Sequence, residues 1–496
     1  MLYLSGLHAA ESVSNGHPDK ICDQISDAIL DACLAQDPQS RVAVESAIKG
    51  DLLVLMGEIT SRARIDPADI ARGVLRDIGH HGRWGIDPDR MRVITNISEQ
   101  APEIAAGVDG AETGAGDQGL VFGYAWDDTP EFLPLAVVLA NHLMRAHAAL
   151  REAEPLLGPD AKAQLTVNHA VDGSVRLETV VLSAQHGPGL SLAALRALLQ
   201  ERLLRPVLGK HLRPETGVLI NPAGSFHMGG PVADAGLTGR KIIVDTYGGY
   251  GLHGGGAFSG KDGTKIDRSA AYAARQLARD VVARGWAHKC EVRLAYAIGR
   301  AEPVTIDFLH DGDAFVSPRQ RYEAIGIDID ALMKPAAIIA RLGLDRPIFR
   351  ETAAFGHFGI AGRSWEQGLE SAVIDMQATR RLQKEEAARA NRPVIRYSID
   401  ERHRPSADDG HAPPEIDFPH ATLQQKQELA TLRRLMQRSH RGLGLPNRLG
   451  LIHLRDRYPV CARVIAAELE GSALHEASEA ERRRARARDT HAENQP

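Results

Sequence analysis

Residues 254–269, Gly-Gly-Gly-Ala-Phe-Ser-Gly-Lys-Asp-Gly-Thr-Lys-Ile-Asp-Arg-Ser, put five glycines, two lysines and two aspartates between a strand-like run and a helix-like run. Glycine lets the backbone approach an anion and turn its N–H groups toward it, lysine adds compact positive charge, and aspartate can hold an accompanying Mg2+. The segment therefore suits a polyphosphate. Gly255 to Lys261 reads G-x-x-x-x-G-K, but Asp262 stands where a P-loop needs the Ser or Thr hydroxyl that ligates Mg2+, which argues against a Walker A loop. A glycine-rich surface loop with incidental charge is the plain alternative, and the upstream segment weighs against it. Residues 240–250 have a β-branched core bounded by Gly239 and by Gly248-Gly249, so a strand is expected there, opened by the basic pair Arg240 and Lys241. Residues 267–278 are Ala-rich and helical in propensity, with Lys265 and Asp267 at their start. One anion site is expected to collect all of these groups.

Elsewhere the pattern is α/β. A helix over 21–34 shows an apolar face of Ile21, Ile25, Ala28, Ile29, Ala32 and Cys33. Strands at 42–48 and 52–59 flank the turn Lys49-Gly50-Asp51, and a helix near 68–78 precedes a strand at 92–97. The alternation returns at 132–206 and 240–310. With 496 residues, 43% hydrophobic, the chain is long enough for two or more compact units. A net charge of −5 argues against nucleic acid as the main partner. Cys22, Cys33, Cys290 and Cys461 show neither C-x-x-C nor zinc-finger spacing, which fits a reducing compartment. The first eight residues lack a signal-peptide pattern, and no run approaches the roughly 18 apolar residues of a membrane span. A cytoplasmic chain without a membrane segment is expected.

Four motifs carry a more specific signal. They are Glu11-Ser12-Val13-Ser14-Asn15-Gly16-His17-Pro18-Asp19-Lys20, Gly114-Ala115-Gly116-Asp117-Gln118-Gly119, the run from Asn221-Pro222 through Gly236-Leu237-Thr238-Gly239-Arg240-Lys241 into the glycine loop, and Glu351-Thr352-Ala353-Ala354-Phe355-Gly356-His357-Phe358-Gly359. In this order, from about residue 5 to about 365, the chain closely resembles the S-adenosylmethionine synthetases. The resemblance implies three similar mixed sheet-plus-helix subdomains around a pseudo-threefold axis, with boundaries near residues 105 and 232 (1–105, 114–231 and 232–368). It also implies a homodimer with shared active sites, or a homotetramer. The implied reaction is attack of the methionine sulfur on C5′ of ATP, then hydrolysis of the triphosphate to phosphate and diphosphate.

The resemblance also distributes roles. His17 lies near the triphosphate, and Asp19 and Asp267 hold Mg2+, two ions per site. Simple capping, with Asp19 as N-cap, is the competing reading of His17-Pro18-Asp19-Lys20. Glu45, in mid-strand where an unpaired carboxylate is costly to bury, takes K+. Glu58 and Asp117 contact methionine, with Asp234 and Lys265 beside it. Asp160 and Lys162 join the ATP site, although residues 160–166 alone read as a charged helix end. Phe226 packs on adenine, Asp234 and Ala257 line the site, and Lys162, Arg240, Lys241, Lys261 and Lys265 are the cations. Gly114-x-Gly116-x-x-Gly119 matches a dinucleotide fingerprint formally, but a strand rather than a helix follows it at 120–124, so that reading fails on context.

There are departures. Ala106 replaces a common Gln, residues 109–113 form a short lid, Ser225 stands where Arg is common and Asn141 where His is common. Residues 369–496 lack a counterpart and read as an accessory helical extension with helices near 370–390, 423–438 and 458–469, a Pro-rich linker over 404–419 and an Arg-rich tail at 481–488. Two alternatives stay open on sequence: a relative acting as a triphosphatase or on another thioether, and a non-catalytic regulator.

Overall fold

The computed structural model describes residues 5–99 and 114–369. Ala106, the short lid and the extension from residue 370 onward, including Cys461, lie outside the described residues. No helix among those described is long and apolar enough to cross a membrane.

Three sheets carry the fold. The first takes the order β1 (Gly6–Val13), β6 (Leu157–His169), β7 (Val175–His186), β8 (Gly217–Ile220). The second is β11 (Thr305–His310), β10 (Lys289–Tyr296), β5 (Gly119–Trp126). The third is β4 (Arg92–Ser98), β3 (Leu52–Thr60), β2 (Arg41–Lys49), β9 (Gly236–Leu237). Each sheet borrows a strand from a distant segment of the chain. β1 pairs antiparallel with β6 over Gly6–Val13, β5 pairs with β10, and β9 pairs with β2 through Ala47 and Leu237. This cyclic exchange ties the three sheets together through backbone hydrogen bonds, so none has its edges complete alone.

Local chemistry explains most elements. β2 and β3 meet at Gly50, whose φ of +58° suits the tight turn expected at 49–51. The helix Pro67–Ile78 (α2) has Asp66 as N-cap, accepting from the N–H groups of Ala68 and Asp69, and left-handed Gly79 as C-cap. The helix Leu135–Ala153 (α3) packs on β6 and β1 in a core that includes Leu139, Leu143, Leu165 and Leu182. The expected helix at 267–278 runs over Ile266–Ala283 (numbered α5 below, after α4 at Leu192–Leu199).

The helix Pro18–Leu34 (α1) is more deeply placed than its apolar face predicts, with Pro18 through Leu30 all buried. Asp19, Asp23, Asp27 and Asp31, spaced by four residues, form an acidic stripe along it. Every carboxylate meets a partner from residues 237–350. Asp23 accepts from Gly239 N–H at 2.8 Å and pairs with Lys20 at 2.9 Å. Asp27 takes both arms of Arg268, at 2.6 and 2.8 Å, and Gly260 N–H at 2.8 Å. Asp31 accepts from the N–H groups of Phe349 and Arg350. Buried charge is tolerated here because each carboxylate is paired or fully hydrogen-bonded.

Two expectations fail. Residues 242–249 form successive turns instead of a strand, with Asp245 N–H bonded to Lys241 O and Gly248 N–H to Ile243 O. Long-range contacts override β propensity there: Asp245 pairs with Lys20, and Tyr247 stacks on Phe358 at 5.1 Å between ring centres. Residues 160–166 belong to the interior of β6 and not to a helix end.

Candidate active site

The expected single anion site is resolved into two clusters. The first surrounds the start of α1. His17, not Asp19, is the N-cap, its Nδ1 accepting from Asp19 N–H at 3.2 Å with Pro18 in the first helical position. Asp19 points the other way, accepting from Lys241 Nζ at 2.6 Å and Leu237 N–H at 3.0 Å, with Arg240 at 3.8 Å. Asp160, on β6, accepts from Gly230 N–H at 2.8 Å. Lys162, also on β6, is half-exposed and pairs with Glu11 at 2.7 Å. Phe226 and Asp234 lie on the connection between β8 and β9, Phe226 half-buried and Asp234 exposed.

Electrostatics in this cluster are uneven. Burial, followed by the Lys241 charge, lowers His17 to about 4, so the ring is neutral at pH 7. Because Nδ1 accepts a backbone N–H, the neutral ring carries its proton on Nε2 and keeps a donor there. Burial pushes Asp19 upward, but the Lys241 and Leu237 hydrogen bonds outweigh it and hold the carboxyl below its usual range. Asp160 is raised to about 6, chiefly by burial, with Asp234 and Asp19 adding repulsion against the Gly230 hydrogen bond.

The second cluster lies at the start of α5. Lys265 is its N-cap residue, and Lys261 donates to Asp267 at 2.6 Å. Gly256 leaves room for Asp267, since a Cβ there would lie 2.2 Å from the carboxylate carbon and would force that side chain to shift. Lys265 donates to Asp262, whose carboxylate also accepts from the N–H groups of Val42 and Thr264. The residue that breaks the P-loop pattern is thus the knot that ties the glycine loop to β2. Gly119 abuts Ile266 and Asp267, which brings exposed Asp117, two residues earlier, to the same end of α5. A small pocket beside Asp267 is lined by Thr246, His253, Gly254, Gly256 and Phe258.

Strand β2 spaces the clusters. Lys261 bridges Ala43, whose partner on β3 is Glu58, while Leu237 of the first cluster pairs with Ala47. Four residues of strand separate these points by about 13 Å. Glu45 lies midway, on the outer face opposite Met56, and is exposed; the cost of burying it, expected from sequence, does not arise within the chain. Ala257 approaches from the first cluster's side, since a Cβ on Gly239 would meet its methyl at 2.4 Å.

Comparison with known proteins decides the family. Three family models match in chain order: the S-adenosylmethionine synthetase N-terminal domain over residues 5–102, the central domain over 112–226 and the C-terminal domain over 228–367. A protein of Clostridium tetani, S-adenosylmethionine synthase, is 47% identical over 369 residues, covering 71% of this chain and 94% of its own length. The chain belongs to the S-adenosylmethionine synthetase family. The three matched domains lend one strand each to the exchange: β1 from the N-terminal domain, β5 from the central and β9 from the C-terminal.

Sequence reading of the synthetase missed the residues that support the clusters: Lys20, Asp23, Asp27, Asp245, Asp262 and Arg268. The four-residue spacing of the aspartates was the available signal on α1. Lys20 touches both Asp23 and Asp245, all three buried. With one ammonium between two carboxylates, burial pushes Asp245 up to about 7 even against Lys20. Lys20 is held charged: burial opposes its charge, but the two carboxylates raise its pKa.

Proposed function

We propose that the two clusters are the halves of one active site, completed when the first cluster of one chain faces the second cluster of a second copy. The reaction itself is the family's. The chain is a methionine adenosyltransferase that makes S-adenosylmethionine from ATP and methionine. The observation that carries the proposal is that the Lys261–Asp267 pair and the Lys241–Asp19 pair are tied to different points of β2, through the Lys261 bridge to Ala43 and the pairing of Leu237, which donates to Asp19, with Ala47, points about 13 Å apart along the strand. Between them the outer face of the third sheet exposes Met56, Ile94 and Leu237, an apolar surface suited to a second copy.

In the reaction the neutral thioether sulfur attacks C5′, the new C–S bond forms as the C5′–O bond breaks, and triphosphate leaves with the electron pair. No general base is required, so the residues must align the reactants and stabilise growing negative charge. Alignment is worth on the order of 7–11 kcal/mol. Lys162, Arg240 and Lys241 from one half, and Lys261 and Lys265 from the other, are the cations for the leaving group, with His17 donating from Nε2. Phe226 takes the adenine ring, with Asp160, Asp234 and Ala257 lining the ATP site. Glu58, Asp117, Asp234 and Lys265 take methionine.

Enzymes of this family depend on metal, and here we assign Mg2+ to Asp19 and Asp267 and K+ to Glu45. The described residues hold no cluster of three or more metal-binding side chains. Single carboxylates fit Mg2+ all the same, since it binds through one or two carboxylates, water and substrate phosphates. When bound it neutralises phosphate charge. The same cations serve hydrolysis of the triphosphate to phosphate and diphosphate.

Activity is checked by incubating the chain with ATP, methionine, Mg2+ and K+ and following S-adenosylmethionine, phosphate and diphosphate, which are expected in equimolar amounts. The shared site is checked by complementation. Asp19→Ala and Lys261→Ala are each expected to be inactive, and co-expression of the two is expected to restore roughly a quarter of wild-type activity, since half of random dimers are mixed and each has one intact site. Failure to restore activity places both clusters in a site within one chain.

A further inference from the structure

The connection over residues 221–230 carries Phe226 yet has little packing of its own. Pro222, Ala223, Ser225, His227 and Met228 are exposed. What holds it is the end of β7. Asn221, buried with φ +44°, pairs its side-chain amide with both backbone groups of Ala184, at 2.8 and 3.0 Å. Both backbone groups of Phe226 then go to one residue: His186 N–H donates to Phe226 O at 2.9 Å, and Phe226 N–H donates to His186 Nε2 at 3.2 Å. A backbone N–H can only donate, so the His186 proton sits on Nδ1, which faces Gly187 O at 3.2 Å. His227 Nδ1 lies 2.9 Å from His186 O. Gln185 spans the remaining gap, donating to His227 O at 3.1 Å and accepting from Asp160 N–H at 3.3 Å. Gln185 is 1% and His186 0% exposed.

We propose that Gln185 and His186 are positioning residues that set the Phe226 connection in the shape the nucleobase of ATP requires; this rests on the reading of Phe226 as the adenine platform. His186 acts by satisfying the main chain of Phe226, and Gln185 by fixing the next residue to the backbone of Asp160. Their hydrogen bonds go to Phe226, His227, Gly187 and the backbone of Asp160, and to none of the cations assigned to the triphosphate. Loss of the His186 acceptor leaves a partly buried N–H without a partner and frees Phe226 to leave its position.

The test compares ATP with tripolyphosphate, which has the charge but no base. His186→Leu is expected to raise KM for ATP about tenfold, the size of one lost buried hydrogen bond. The inhibition constant of tripolyphosphate, KM for methionine, kcat and Tm stay near wild type. His186→Gln, which restores an acceptor at the Nε2 position, is expected to recover most of the ATP affinity. Phe226→Ala calibrates the platform. If Phe226→Ala raises KM for ATP and His186→Leu does not, the positioning role is overturned. If Phe226→Ala itself leaves KM for ATP unchanged, the adenine reading fails and the proposal falls with it. An equal loss toward ATP and tripolyphosphate, or a large fall in Tm, shows a purely structural role and also overturns it.

Discussion

Asp27 and Asp19 lie about two turns apart on one helix, and each binds a cation more than 200 residues away in the chain, but in opposite surroundings. Asp27 and Arg268 are sealed, both side chains at 0% exposure. Asp19 is buried at 3%, while its partners Lys241 and Arg240 retain 17% and 52%. Towards the middle of α1 the charges satisfy one another and fasten the glycine loop and α5 to the helix. At its start, the same kind of pairing leaves cations within reach of an incoming anion. The difference teaches that α1 uses one acidic stripe for two purposes, and that solvent access to the cation separates them.

The largest effect is expected from Asp27→Ala, which strands Arg268 without its carboxylate and should cost about 3–5 kcal/mol in urea denaturation. A cost under about 1 kcal/mol would erase the distinction between the two ends of the helix. Lys241→Ala should do the reverse: kcat falls by roughly two to three orders of magnitude, the scale of removing one group that stabilises developing charge, while stability changes by no more than about 1 kcal/mol. Equal losses of stability in the two variants would show that the outer pair is structural as well.

A smaller, sharper test concerns Asp245, raised to about 7 by burial. A carboxyl whose folded pKa lies above its unfolded value contributes stability that is fully present below the unfolded value, near 4, and lost as pH rises through about 7. Asp245→Asn should therefore flatten the decline in unfolding free energy between pH 5.5 and 8 by roughly 2 kcal/mol, whatever its constant offset. An unchanged slope would mean that Lys20 neutralises Asp245 outright.

Much of the candidate site was legible because its residues occur in short runs. The His17-Pro18-Asp19-Lys20 run, the basic pair Arg240-Lys241 and the glycine loop each stand out without neighbours, since the chemistry they offer depends on residue type and close spacing. The reason Glu45 is exposed was not legible: period two places it opposite the buried Val44 and Ser46, but only the assembled sheet shows which face the core covers. Nor was the division into two clusters, which depends on β9 and the glycine loop meeting β2 at different registers.

The sequence alone determined the elements whose causes are local. The 49–51 turn follows from Gly50, α2 from its Asp66 and Gly79 caps, and α5 from its Ala-rich run, because capping, turn geometry and helix propensity act within a few residues. Tertiary structure decided residues 242–249 and the strand exchange. A β-branched run became turns because Asp245 meets Lys20 across 225 residues of chain. β1, β5 and β9 each left their own matched domain for a neighbour's sheet. Those outcomes depend on which distant groups are buried together, and the cost of an unpaired charge or an open sheet edge outweighs the small preferences that local sequence expresses.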